Sequence, residues 1–162
     1  MNAVVRDDFM PLRMMVSDLD EVVAIERAAY DFPWTRGNFI DSLAAGYLAR
    51  VLRGASDELI AYFIAMKGVD EMHLLNVTVA PAQQSKGFGR RMLDELVSLS
   101  RGQDADRLWL EVRESNARAH DLYLRYGFRH IGVRKGYYPA LHGKREDANV
   151  MSLELGGRHA ME

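Results

Sequence analysis

A chain of 162 residues with 48% hydrophobic and 27% charged side chains has the size and mixture of one ordinary globular domain with a sizeable core. Its formal charge of −2 offers no global attraction to nucleic acid, and no apolar run approaches the ~18 residues that a membrane-spanning helix needs. The absence of cysteine excludes disulfides, thiolate metal sites and a cysteine nucleophile and fits a reducing cytoplasm, while Met1–Met10 lacks the basic start and apolar core of a secretory signal.

After an extension over residues 1–9, Met10–Val16 reads as a first strand. Ser17 is expected to cap a helix to about Tyr30, with Asp20 completing an imperfect capping box. Phe32-Pro33-Trp34 breaks that helix, and Thr35 caps a second, short one reaching about Ala45. Tyr47–Arg53 and Leu59–Lys67 read as antiparallel strands around the turn Gly54–Asp57, and Gly68–Asp70 turns the chain into a strand over Met72–Val79. Beyond Gly87, the residues Phe88, Met92, Leu93, Leu96 and Val97 share one face of a helix packed on a sheet. Arg107–Val112 is nearly continuous in apolar character, as a buried parallel strand requires. Asn116 caps a helix to Tyr126 and Gly127 ends it. Phe128–Tyr137 and Ala148–Leu155 are the last two strands, with a loop over Pro139–Asp147 and a mobile tail from Gly156 to Glu162. No repeat or linker divides the chain. The order predicts an α/β fold, a mixed seven-stranded sheet with helices on both faces, in a single domain over residues 10–155.

The stretch from Leu75 to Arg91 is the most informative. A β-branched strand runs into the turn Gln84-x-x-Gly87-x-Gly89, which opens directly into an amphipathic helix. The unpaired N–H groups of such a helix start suit a phosphate or pyrophosphate, with Arg90 and Arg91 as charge partners. Two glycines rather than three separate it from the dinucleotide fingerprint, and Lys86 precedes the glycine instead of following it as in a Walker loop. The plainer alternative is a tight connection that needs glycine only for its geometry. Glu111 lies in the apolar strand Leu108–Val112, where a carboxylate must reach solvent, pair, or have its pKa raised as a general base requires. Its alternative is a solvent-facing residue paired with Arg113. Tyr123 reads in the first place as a packed ring, and Asn116 as a cap. His73, His120, His130, His142 and His159 share no ligand-like spacing, so no metal is expected, and the nine methionines read as core filler.

Taken together, Gln84-Ser-Lys-Gly-Phe-Gly89, Leu108-Trp-Leu-Glu-Val-Arg-Glu-Ser-Asn116 and Ala119-His-Asp-Leu-Tyr-Leu-Arg-Tyr-Gly-Phe128 resemble the GNAT acetyltransferase superfamily. Phe32-Pro33-Trp34, Gly136-Tyr-Tyr-Pro139 and Arg145-Glu-Asp-Ala148 resemble its RimI-type group of ribosomal-protein-alanine N-acetyltransferases, over roughly Leu12–Leu155. Ser85 departs from the pattern, where arginine or glutamine is usual. The resemblance implies a mostly antiparallel sheet and acetyl-CoA as co-substrate. It implies cofactor contacts from Val77, Thr78, Val79, Ser85, Lys86, Gly87, Phe88, Gly89, Arg90 and Asn116. It makes Glu111 the general base and Tyr123 the general acid. The implied acceptor is the N-terminal segment of a ribosomal protein, specifically the N-terminal alanine of small-subunit protein S-eighteen, with Phe32, Trp34, Tyr137 and Tyr138 as walls of a peptide groove. Asp31, Glu114 and Glu146 could attract a basic peptide or simply be solvated. A cytoplasmic enzyme without direct nucleic-acid or membrane contact follows, while lysine side chains, small amines such as polyamines or aminoglycosides, and a non-catalytic acetyl-CoA sensor remain open.

Overall fold

The computed structural model describes residues 9–156, so the expected extension and tail lie outside the described residues apart from Phe9 and Gly156. Seven strands form one sheet in the order β1-β2-β3-β4-β5-β7-β6. They are β1 (Leu12–Arg13), β2 (Leu48–Arg53), β3 (Leu59–Lys67), β4 (Glu71–Val79), β5 (Arg107–Arg113), β6 (Arg129–Pro139) and β7 (Arg145–Glu154). The helices are α1 (Leu19–Ala29), α2 (Arg36–Ala44), α3 (Phe88–Gly102) and α4 (Ala117–Tyr126). The pairings β1–β2, β2–β3, β5–β7 and β6–β7 are antiparallel or register as such, and β4–β5 is parallel, the mostly antiparallel arrangement expected. Two compact units are distinguished. One holds the described residues up to Met66 with Leu75–Leu96; the other holds Lys67–Leu74 with the described residues from Val97 onward.

In the first unit, α1 buries Leu19, Val22 and Val23 on one face against Phe39 of α2, Val51 of β2 and Tyr62 and Ile64 of β3. The spacing of those helix positions is what places them on one stripe, and each fully buried side chain of this size contributes roughly 1.5–3 kcal/mol. The first strand is much shorter than the expected Met10–Val16. Only Leu12 and Arg13 pair with β2, and a 3-10 turn over Val16–Asp18 follows. The reason is Asp18, whose carboxylate accepts from the Met15 amide at 2.7 Å and holds Arg53 of β2 at 2.8 Å. That carboxylate, rather than a strand partner, satisfies the Met15 amide, and Asp18 instead of Ser17 precedes α1. Thr35 does cap α2: its Oγ1 accepts from Asn38 N–H at 3.2 Å, and Asn38 Oδ1 accepts from Thr35 N–H at 2.9 Å.

In the second unit, β5 lies between β4 and β7, pairing His73 with Trp109 on one side and Glu111 with Val150 on the other. Asn116 caps α4 by accepting from Ala119 N–H at 3.2 Å, and Gly127 ends it at φ +120°, a conformation other residues rarely adopt. The loop expected over Pro139–Asp147 is shorter. Arg145, Glu146 and Asp147 belong to β7, and β6 runs to Pro139. Side chains extend this ladder across a register shift between Arg134 and Tyr138: Asp147 Oδ1 accepts from Gly136 N–H at 2.8 Å, and Arg145 donates to the carbonyls of Gly136 and Tyr137.

Candidate active site

The glycine turn belongs to the first unit. Ser85 and Gly87 both adopt left-handed backbone conformations, at φ +64° and +89°. Gln84 donates from its side-chain amide to the Val79 carbonyl at 3.3 Å, tying the turn to the end of β4, and Lys86 Nζ donates to Gln83 Oε1 at 3.2 Å. From Gln84 to Arg91 no side chain is acidic. The Phe88 ring is buried at the start of α3, so of this residue only the backbone can face a ligand. A turn of this composition, exposed at Ser85, Lys86 and Gly87, fits an anionic pyrophosphate. Arg91 is turned away from that role, since it pairs with Glu95 at 3.6 Å and approaches the Phe9 carbonyl at 3.5 Å, whereas Arg90 is exposed.

The end of β4 is held from the same unit. The Tyr30 hydroxyl is placed to donate its one hydrogen to Thr78 Oγ1 at 2.8 Å, with the Val77 carbonyl as a longer alternative acceptor at 3.3 Å. Burial pushes the Tyr30 phenol up to about 12, a shift that the Thr78 bond only partly opposes. Thr78 donates in turn to Asn76 Oδ1 at 2.8 Å, and Asn76 donates from Nδ2 to Glu26 at 3.0 Å. Glu26 was not anticipated from the sequence, although it continues the stripe Leu19, Val22, Val23 that should end in an apolar residue. It is 2% exposed, accepting from Tyr62 OH at 2.6 Å on one oxygen and from Trp34 N–H at 2.9 Å on the other. Burial, reinforced by the nearby negative charge of Glu26, pushes the Tyr62 hydroxyl far above its ordinary range. This carboxylate thereby holds the end of the Phe32–Trp34 segment. Within that segment Phe32 is exposed, whereas the Trp34 ring is half-buried and packs 5.2 Å from Phe39.

The second unit gathers the expected catalytic residues with partners that the spacing does not reveal. The Glu111 side chain is only 8% exposed, and its oxygens have separate partners: Oε2 lies 2.7 Å from His73 Nε2 and Oε1 lies 3.4 Å from Arg134 Nε. Arg113 holds Glu146 at 2.7 Å and lies over the Tyr138 ring, 4.4 Å from its centroid. Burial pushes the Glu146 carboxyl up, but bonds from Arg113 and Ser115 outweigh it and hold the carboxyl below its usual range. Glu146 is thus engaged in an ion pair within the fold. Tyr137 and Tyr138 stand edge to face at 4.9 Å, and both hydroxyls are pushed up, first by desolvation and next by the negative charge of Glu111. Tyr123 is 7% exposed on α4, its ring 5.5 Å from Phe128. Among the described residues no group of three or more His, Asp or Glu gathers as a metal site, and no helix is long and apolar enough to cross a membrane. His159 lies outside the described residues.

Residues 19–128 match the model of the acetyltransferase (GNAT) family. The chain belongs to that family. As a member it is an acyltransferase, and the fold and motifs read from the sequence agree with this assignment. It is 38% identical over 138 residues to the ribosomal protein bS18-alanine N-acetyltransferase of Haemophilus ducreyi, covering 85% of this chain and 94% of the relative. The crystal structure of the corresponding Escherichia coli enzyme superposes with a TM-score of 0.82 at 35% identity, covering 90% of this chain and 93% of that one. A GNAT superfamily phosphinothricin acetyltransferase from Sinorhizobium meliloti, solved in complex with AcCoA, shares the fold at a TM-score of 0.78 and 18% identity, over 93% of this chain and 91% of its own.

Proposed function

We propose that this protein transfers the acetyl group of acetyl-CoA to a protein N-terminal α-amine, and that its acceptor is the N-terminal alanine of ribosomal protein bS18, in the cytoplasm and without direct nucleic-acid or membrane contact. The observation that carries this reading is the match, along nearly the whole of both chains, to enzymes of that specificity. Amine chemistry agrees. At pH 7 roughly a tenth of an α-amine of pKa ~8 is neutral, against well under a thousandth of a lysine amine of pKa ~10.4, so a lysine costs about 3 kcal/mol more to make nucleophilic.

Acetyl-CoA supplies the acetyl group as a thioester. The backbone of Val77, Thr78 and Val79 pairs with the pantetheine arm as an added strand would, and Ser85, Lys86, Gly87, Phe88, Gly89 and Arg90 hold the pyrophosphate. Asn116, with its carbonyl already committed to the α4 cap, contributes its amide near the sulfur. Glu111 takes the proton from the acceptor amine as its nitrogen bonds to the acetyl carbon. The carbon–sulfur bond breaks, and Tyr123 gives its proton to the departing sulfur. Phe32, Trp34, Tyr137 and Tyr138 border the acceptor peptide.

Release of coenzyme A with three matched basic peptides tests the reading. The expected result is turnover on a free N-terminal alanine and none on the same peptide N-terminally blocked or on a blocked peptide carrying an internal lysine. Turnover on the lysine peptide, or none on free alanine from a protein that binds acetyl-CoA, overturns it.

A further inference from the structure

We infer that His73 is a positioning residue for the acyl transfer, donating a hydrogen bond from Nε2 that holds Glu111 in the orientation of a base. This rests on the role proposed for Glu111. His73 and Trp109 are register partners on the parallel strands β4 and β5, and their rings stack 3.6 Å apart at an interplanar angle of 7°. Stacking fixes the plane of the imidazole, and Glu111, two residues beyond Trp109, projects to the same face of β5. The result is the 2.7 Å contact between Nε2 and Oε2, with the two side chains only 12% and 8% exposed.

Chemistry assigns the direction of that bond. An ionised carboxylate offers only lone pairs, so Nε2 carries the hydrogen. Oε2 is then occupied, and Oε1 is left toward the half-exposed Arg134, whose Nε stands at a looser 3.4 Å. A carboxylate with one oxygen anchored and shielded presents the other in a fixed place. That is the requirement for removing a proton from an amine within hydrogen-bond reach. Arg134 also lies over the rings of Trp109 and Tyr137, at 5.9 and 5.7 Å, and Tyr137 and Tyr138 feel the charge of Glu111. Arg134, Tyr137 and Tyr138 are thus among the cations and hydroxyls around the pair. Of these groups His73 makes the shortest bond to the carboxylate.

Steady-state kinetics over a range of pH on His73→Leu, His73→Gln and Glu111→Gln, with the free-alanine peptide, test the assignment. His73→Leu removes the donor and is expected to lower kcat by about tenfold or more, with KM for acetyl-CoA within about twofold. His73→Gln keeps a side-chain N–H donor. It is expected to recover kcat to within about threefold of the wild type, with KM for acetyl-CoA again within about twofold. A His73→Leu enzyme with undiminished kcat overturns the inference. So does a His73→Gln enzyme as impaired as His73→Leu, because packing of the imidazole would then account for the loss. Full turnover by Glu111→Gln is a separate result: it removes the base assignment, and the inference with it, whatever the His73 variants do.

Discussion

Glu26 and Glu111 are both carboxylates withdrawn from water, and their partners separate their roles. Glu26 receives donors on both oxygens, from Tyr62, Asn76 and the Trp34 amide, all from its own unit, and it is 2% exposed. A buried acceptor so fully satisfied is structural, and loss of its charge leaves strong donors facing a weaker partner. Glu26→Gln is expected to lower the unfolding free energy by roughly 2–3 kcal/mol, read from the midpoint of urea denaturation at an unchanged slope. Glu111 has one close donor and one loose one, which leaves capacity for a substrate proton. Tyr123 can be tested without disturbing its packing. Tyr123→Phe keeps the ring against Phe128 and removes only the hydroxyl, so kcat is expected to fall by a factor of about 10²–10³ while the melting temperature stays close to the wild type. A fall in stability with unchanged kcat would make Tyr123 a packing residue.

The glycine turn is the element whose proposed role rests on its backbone. Gly87 sits at φ +89°, where an L side chain is strained by roughly 1–2 kcal/mol, and the residue is exposed at the start of α3. Gly87→Ala is expected to raise the dissociation constant for acetyl-CoA by about tenfold, measured by calorimetry, because relief of that strain would tilt the N–H groups proposed to hold the pyrophosphate. Elements of this kind were legible because local signals set them: the apolar stripe of α3, the Thr35 and Asn116 caps, the stop at Gly127. The early end of β1 was not, because it depends on Asp18 reaching back to the Met15 amide and across to Arg53. The extra residues of β7 were not, because Asp147 and Arg145 bond to the backbone around Gly136. The site shows the same division. The motifs pointed to Glu111 and Tyr123, but the histidine partner of Glu111 lies 38 positions away on another strand, and no local signal singles out Glu26, whose donors come from Trp34, Tyr62 and Asn76.

At the scale of the molecule, its tyrosines set a limit on the alkaline side. An unfolded tyrosine ionises near 10, whereas burial holds the Tyr30 phenol to about 12 and pushes Tyr62 and Tyr138 up as well, through desolvation first and then the charges of Glu26 and Glu111 respectively. Between those two values the unfolded chain has released the Tyr30 proton and the folded one retains it. The unfolded state therefore binds fewer protons, and stability falls as pH rises through that window; below pH 10 the contribution is fully present. The shift corresponds to roughly 2–3 kcal/mol for Tyr30. Tyr30→Phe also loses the bond to Thr78, so its stability at neutral pH is expected to be lower than the wild type by about 1 kcal/mol. The slope is the diagnostic quantity. Urea denaturation at pH 9 to 11.5 is expected to show a shallower decline for Tyr30→Phe than for the wild type, the two curves meeting at about pH 11 and crossing above it; parallel curves would mean that Tyr30 ionises as readily in the fold as out of it.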